Sequence, residues 1–290
     1  MSEITLFAPA KINLTLEVLG RRDDGYHETR SVMQALSLTD RLDFEHGERL
    51  AFECDLPVWQ AERSLVWRAA DMLRAESGCP KGATVRIAKR IPLTSGLGGD
   101  ASDAAAVLTG LNALWQTAVS LGRLAELAAQ LGSDVPFFLR GGTALARGRG
   151  EVFSSLPALT GFWLAVVTAD VPRPPAKTAA LYACLGASDY TSGEHTETLA
   201  SHLERGGGIA QTMLYNVFER VADDAFPGLE RVRQDMLAAG AGRVHLAGAG
   251  PSLFSLHSSR AEAEEICRRL IAYPAVVAET LGTGVQSSNL

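Results

Sequence analysis

The sequence predicts a globular chain of interleaved strands and helices, arranged as one large or two medium domains, and three observations carry that expectation. Its 290 residues are enough to bury substantial cores. Apolar residues recur with period two in some stretches and at intervals of three or four in others. Glycines at 96, 98 and 99 separate a strand candidate from a helix candidate, which sets a tight turn between them.

Residues 4–8 are a short strand candidate. Beyond Pro9, Ile12, Leu14, Leu16 and Val18 alternate with Lys11, Asn13, Thr15 and Glu17, which reads as a second strand. Period two puts Lys11 and Asn13 on the face opposite the apolar one, either a solvated exterior or the roof of a pocket. GRRDDG at 20–25 is a charged turn that leads into Tyr26 and His27. Residues 31–38, 41–44 and 50–54 are further strand candidates. Leu65, Trp67, Ala69, Ala70, Met72 and Leu73 mark 61–77 as an amphipathic helix. A strand at 85–91 then runs into the glycine loop, with Lys89 and Arg90 near its end.

That loop and the residues after it read PLTSGLGGDASDAAA, from Pro92 to Ala106. Glycine backbone can take positive φ and approach a ligand closely, so successive N–H groups can turn toward an anion. The helix behind adds the positive end of its dipole. Ala104, Leu108, Leu111 and Trp115 carry its period, and Asp100 or Ser102 is the candidate N-cap. The stretch is a phosphate cradle in composition, although it has neither the dinucleotide spacing G-x-G-x-x-G nor the Lys-Ser/Thr ending of a Walker A loop.

Ser120 is placed to cap a second helix with the stripe Leu121, Leu124, Leu127 and Leu131, and Gly132 stands at its stop. Asp134 follows in a turn before an apolar segment, where it is either a cap or a site residue. Residues 140–150 suggest a strand pair. A strand at 162–168 opens a second domain, and the Pro-rich VPRPPAK precedes a helix bearing Tyr182. Residues 187–208 are a polar connection with a short helix. Helices are expected at 212–221, 229–239 and 261–271, a strand, glycine turn and strand over 244–256, and a last strand at 276–280.

A net charge of −6 argues against a nucleic-acid binder that works by neutralising phosphates, yet leaves room for one basic nucleotide pocket. The four cysteines, Cys54, Cys79, Cys184 and Cys267, lie far apart with no metal-ligand spacing, which suggests buried reduced thiols. The N-terminal residues do not form a basic leader with an apolar core, and no run reaches the ~18 apolar residues of a membrane span. A cytoplasmic protein with no membrane or nucleic-acid partner is expected.

Six motifs run in order along nearly the whole chain: PAKINL at 9–14, DGYHE at 24–28, KRIPLTSGLGGDASDAA from Lys89, GSDVPFFL at 132–139, YNVFE at 215–219 and LAGAGPSLF from Leu246. With them the sequence resembles the GHMP kinase superfamily, to which galactokinase, homoserine kinase and mevalonate kinase belong. PAKINL together with DGYHE is the more specific signal and points to the branch whose substrate is a cytidylylated methylerythritol. The resemblance implies an α+β, two-domain GHMP kinase fold, with domains at 1–157 and 158–290, an active site in the interdomain cleft and a left-handed βαβ crossover in the first domain. It also implies ATP-dependent phosphorylation of the 2-hydroxyl of 4-diphosphocytidyl-2-C-methyl-D-erythritol in isoprenoid precursor synthesis. The alternative is a related kinase of small alcohols such as homoserine or mevalonate.

Carried over by position, Asp134 would take the proton of the acceptor hydroxyl, and Lys11 would pair with it and steady the transferring phosphoryl group. Pro92, Leu93, Thr94, Ser95, Gly96, Leu97, Gly98, Gly99, Asp100, Ala101 and Ser102 would wrap the ATP phosphates, with Lys89 near the nucleotide. Tyr26 would stack on the cytosine, His27 would hydrogen-bond its edge, Tyr182 is the candidate for the other side of that sandwich, and Asn13 would support the substrate's polar groups. Mg²⁺ is expected with the triphosphate, and Ser102 is the nearest hydroxyl for it. Relatives usually read GLGGGSS where this chain has Asp100, Ala101 and Ser102, and often carry Asn where it has Ser64. A carboxylate beside a triphosphate is repelled unless a metal or base intervenes. Asp100 is therefore expected to cap the helix, to help hold Mg²⁺, or to reduce the affinity for ATP.

Overall fold

The computed structural model describes residues 4–287. Its frame is one long antiparallel hairpin of β1 (Ile4–Arg21) and β2 (His27–Gly47). The pattern predicts a break at Pro9, but the strand passes through it. The register shifts between Pro9 and Ala10, and such an irregularity accommodates a residue with no N–H to give. The candidates at 31–38 and 41–44 are likewise one strand.

The rest of the first half hangs on that hairpin. β3 (Leu50–Cys54), α1 (Leu65–Ser77) and β4 (Gly82–Ala88) form a parallel crossover, and β4 pairs with β2 from Arg41 to Gly47. Then come α2 (Gly99–Trp115), α3 (Leu121–Leu131) and α4 (Val135–Arg140), followed by β5 (Thr143–Arg147) and β6 (Val152–Ser155). β5 pairs with β2 over Ser31–Gln34. The second half contains β7 (Trp163–Thr168), α5 (Lys177–Cys184), α6 (Glu194–Glu204), β8 (Tyr215–Asn216) and α7 (Ala222–Ala225). It ends with α8 (Leu229–Ala238), β9 (His245–Leu246), β10 (Ser252–His257), α9 (Arg260–Arg269), β11 (Ala275–Leu281) and β12 (Gln286–Ser287). Strand order runs β12-β1-β2-β11-β7-β10-β9, so β11 returns to β2 and one hydrogen-bonded sheet joins both halves.

Three apolar clusters match this plan. Phe44, Trp115, Phe137 and Phe138 centre the core under α1–α4. Phe218, Phe226, Met236 and Leu246 centre that of the second half. Between them Ile12, Leu14, Leu36, Leu164 and Phe254 make a shared core that also takes Ile91, just before the glycine turn, and Leu97, within it. The loop is thus pinned by burial where the halves meet.

Three local expectations are corrected. Residues 212–221 are not one helix: Tyr215–Asn216 pairs in parallel with Thr15 and Leu16 of β1, between short 3-10 turns at Gln211–Met213 and Val217–Arg220. The Asn216 side chain accepts from Phe218 N, capping the second of those turns, and donates to the carbonyls of Leu246 and Gly248, which holds it against the chain around β9 instead of in an α-helix. Gly132 has φ 176, extended rather than left-handed, so it ends α3 without the turn expected of it. Of the four free thiols only Cys79 is buried, and Cys184 is exposed. Among the described residues no helix is long and apolar enough to cross a membrane.

Candidate active site

Lys11 and Asn13 share a face of β1, and that face is no exterior: they are 5% and 6% exposed. Lys11 Nζ donates to Asn13 Oδ1 at 2.8 Å, and Asn13 Nδ2 to Ser31 Oγ at 2.7 Å. Ser31 Oγ in turn donates to Thr15 O. This chain of bonds fixes the direction of the ammonium, which meets Asp134 Oδ2 at 3.4 Å. Asp134 stands at the cap position of α4, yet its side chain makes no capping bond. The carboxylate is left free to face the cleft, 38% exposed. Both residues line a cavity of about 230 Å³ with Asn13, Arg149, Lys177 and Tyr182.

The glycine turn reaches the edge of this cavity, which Gly96 and Gly98 line. Gly96 and Gly98 have φ of 89° and 77°, a region open to glycine at little cost. A Cβ on Gly96 would lie 2.0 Å from Ala247 O, and one on Gly98 would lie 2.8 Å from the Phe138 ring and 3.0 Å from Lys11 Cγ. Gly98, not Asp100 or Ser102, is the N-cap of α2. The first amides of a 17-residue helix therefore lack intrahelical acceptors beside a cavity of about 780 Å³. Pro92 to Gly96 and Gly98 to Ala101 line that cavity, but Leu97 and Ser102 do not. Leu97 is fully buried, and its carbonyl accepts from Lys11 N at 2.8 Å, which ties the turn to β1.

Three expected contacts fall elsewhere. Lys89 lines the larger cavity, but its ammonium is bound to Asp40 at 2.5 Å and Asp103 at 2.7 Å, both carboxylates wholly buried. Asp40 Oδ1 also accepts from Arg90 N and Ile91 N, so the network fixes the chain just before the loop. Burial would lower the Lys89 ammonium, but the charges of Asp103 and Asp40 outweigh it and the net shift is upward. Asp103 receives one donor, and its Oδ1 has none. Burial, opposed by Lys89 but reinforced by Asp40, pushes its carboxyl well above the usual range. Asp100 does not cap its own helix: it accepts from Ser64 Oγ and, at 3.2 Å, from Leu65 N, at the start of α1. Ser102 is buried, and its Oγ has no hydrogen-bond partner.

The aromatic set is also arranged differently from the expected sandwich. His27 stacks on Tyr182 at 4.7 Å and 15°, too close to admit a base between them, and meets Tyr190 edge-on. Tyr26 is 57% exposed, with the Arg149 guanidinium 4.7 Å from its ring centre. Burial, and then the charge of Asp134, pushes the Tyr182 hydroxyl up to about 12. Burial lowers the His27 imidazole.

Two cations from the second half escape the sequence reading. Arg173 Nη1 donates to Leu93 O at 2.9 Å, and Lys177 Nζ to Thr94 O at 3.1 Å and to Gly250 O. One cue was available: Lys177 opens a helix, the end where a cation is least favoured. Trp59 and Arg149 were likewise missed as lining residues, for no short motif marks them. Among the described residues no group of three or more His, Cys, Asp or Glu side chains could hold a metal.

Comparison with known proteins gives the family of the chain. Residues 64–142 match the GHMP kinases N terminal domain and residues 198–275 the GHMP kinases C terminal family. The 4-diphosphocytidyl-2-C-methyl-D-erythritol kinase of Dehalococcoides mccartyi strain 195 is 48% identical, over 96% of this chain and 99% of its own. That of Symbiobacterium thermophilum is 42% identical, over 90% and 93%. A crystal structure of a 4-(cytidine 5'-diphospho)-2C-methyl-D-erythritol kinase superposes with TM-score 0.81 at 35% identity, covering 96% of this chain and 99% of that one. Homoserine kinase from Cytophaga hutchinsonii, at TM-score 0.73 and 20% identity over 99% and 98% of the two chains, shares the fold.

Proposed function

The chain belongs to the GHMP kinases and, within them, to the 4-diphosphocytidyl-2-C-methyl-D-erythritol kinases, and from that premise we propose how its own residues carry the reaction. The terminal phosphoryl group of ATP passes to the 2-hydroxyl of 4-diphosphocytidyl-2-C-methyl-D-erythritol, giving the 2-phosphate and ADP for isoprenoid precursor synthesis. The observation that carries the assignment of roles is the Lys11–Asp134 pair, 3.4 Å apart at the rim of the glycine turn.

Asp134 accepts the hydroxyl proton as the new O–P bond forms and the bond from phosphorus to the β–γ bridging oxygen breaks, releasing ADP. Its lack of a capping bond supports this role, since the carboxylate has no structural partner to leave. Lys11 orients that carboxylate and offsets charge on the phosphoryl oxygens. Asn13 holds Lys11 and offers its amide to the acceptor. The phosphates lie along Pro92 to Ala101, against the first amides of α2. Lys89 works from behind, as an anchor of the loop.

Magnesium fits a restricted protein shell, because Asp100 is committed to α1 and the orphaned oxygens near the loop are Ser102 Oγ and Asp103 Oδ1, of which the hydroxyl lies nearer the glycine turn in sequence. Bound there with the triphosphate, it would neutralise phosphate charge, and phosphate and water oxygens would supply most of its ligands. His27, Tyr182 and Tyr26 form the aromatic wall for the cytosine, and Arg149 lies within reach of the substrate diphosphate.

The test is ADP release with Mg-ATP when the cytidylylated alcohol, homoserine and mevalonate are offered separately, with Asp134→Ala as the blank. Turnover of the cytidylylated alcohol alone, lost in the blank, is expected. Turnover of another alcohol would keep the Lys11–Asp134 chemistry and remove the cytosine wall. An active Asp134→Ala protein would remove the proposed base.

A further inference from the structure

The two cavities of the site meet at four residues that line both: Gly96, Gly98, Lys177 and Thr178. A phosphoryl group moving from the nucleotide in the larger cavity to an acceptor beside Asp134 crosses that junction. Lys177 is the one charged side chain of the four, and it comes from the second half of the chain, where no motif placed a catalytic residue.

Its position is costly in three ways. It is the first residue of α5, so its charge sits at the positive end of the helix dipole. Ala176, just before it, has φ 47, a left-handed conformation that a side chain disfavours. Burial and the charges of Lys11 and Arg173 together bring the ammonium down to about 7. Against this it has two backbone carbonyls, Thr94 O and Gly250 O, and no carboxylate. The smaller cavity is lined by Lys11, Arg149 and Lys177 but by Asp134 alone among acids. Three cations around one carboxylate leave positive charge that an anion at the junction would balance.

We propose that Lys177 binds the terminal phosphoryl group of the nucleotide, leaving the carbonyls of Thr94 and Gly250 and bracketing that group with Lys11 from the opposite half of the molecule. The inference rests on the kinase reading above and adds a residue to it. Lys177 and Arg173 strap the second half to the phosphate loop through Thr94 and Leu93. A triphosphate takes over the Lys177 bonds, whereas a diphosphate does not reach the junction.

The distinguishing measurement is calorimetric binding of β,γ-imido-ATP and of ADP, each with magnesium, to the full-length protein and to K177M and K177R. For K177M the triphosphate analogue is expected to weaken by about tenfold or more while ADP stays within about twofold, because one charge-assisted contact is lost only where the third phosphate exists. K177R should retain most of the preference. Equal weakening of both ligands would mean that Lys177 only pins the loop, and no weakening of either would mean that it touches neither; both overturn the inference and leave the kinase reading intact. A wild-type protein that binds neither nucleotide overturns both. Should K177M fail to fold, kcat/KM for ATP decides: the ammonium is buried and faces Lys11 and Arg173, so in wild type the rate constant falls as pH rises through about 7. In K177R that limb moves to higher pH, and a limb that stays put overturns the proposal.

Discussion

Two lysines in this molecule face aspartates across the same glycine turn, and they have been put to opposite uses. Lys89 is 3% exposed and shared by two wholly buried carboxylates at 2.5 and 2.7 Å. Lys11 is as buried as Lys89, but its aspartate is 38% exposed and stands off at 3.4 Å. The closed network holds the chain that enters the loop. The open pair has a carboxylate with room for a proton and an ammonium with a direction fixed by Asn13. Ion pairing alone thus says little about role; the exposure of the acid and the other bonds it makes separate scaffold from chemistry.

The largest expected effect breaks the open pair. Asp134→Asn keeps the shape and removes the base, and should lower kcat by about 10²–10⁴-fold while the melting temperature barely moves. A fall in stability of the same order as the fall in rate would make Asp134 a structural residue after all. Breaking the closed pair should reverse the pattern. Lys89→Met leaves two buried carboxylates with no cation and should cost about 3–5 kcal/mol in denaturant unfolding. Burial already raises the Asp103 carboxyl, and without the opposing Lys89 it rises further, so the variant binds more protons folded than unfolded and loses stability as pH rises above about 4. The gap to wild type should therefore narrow in acid; a gap independent of pH would mean that the carboxylates are not what Lys89 serves.

Much of this was legible before any geometry. Period two placed Lys11 and Asn13 on one face, and the glycines marked the turn at the start of α2. The motif resemblance brought Asp134 to Lys11 across more than a hundred residues. Other features depend on partners that no local pattern holds. Asp40, which terminates the Lys89 network, lies 49 residues from Lys89 inside β2, at a position between two strand candidates of the sequence. The helix expected at 212–221 lost to Asn216, which finds acceptors some 30 residues away. Lys177 reads as an ordinary surface lysine until the sheet brings the loop at Thr94 beneath it. Phosphate loops write themselves into sequence because they need backbone freedom, whereas the cations around them need only be delivered to a place.

The smallest expected effect tests a third carboxylate, Asp100, whose departure from the usual glycine coincides with that at Ser64. The two positions touch: Asp100 accepts from Ser64 Oγ and from Leu65 N, and Ser64 is the N-cap of α1, its own oxygen accepting from Val66 N. An acid at that helix start is favoured by the α1 dipole as well as by these donors. Asp100→Ala should therefore cost about 1 kcal/mol of stability, since one exposed cap is lost. It should leave the magnesium concentration for half-maximal activity unchanged. Removing a negative charge from the rim of the nucleotide cavity should also lower KM for ATP by about twofold, an effect that salt would erase. A raised magnesium requirement would instead put Asp100 in the metal's shell, and its bond to Ser64 would then have to open whenever nucleotide binds.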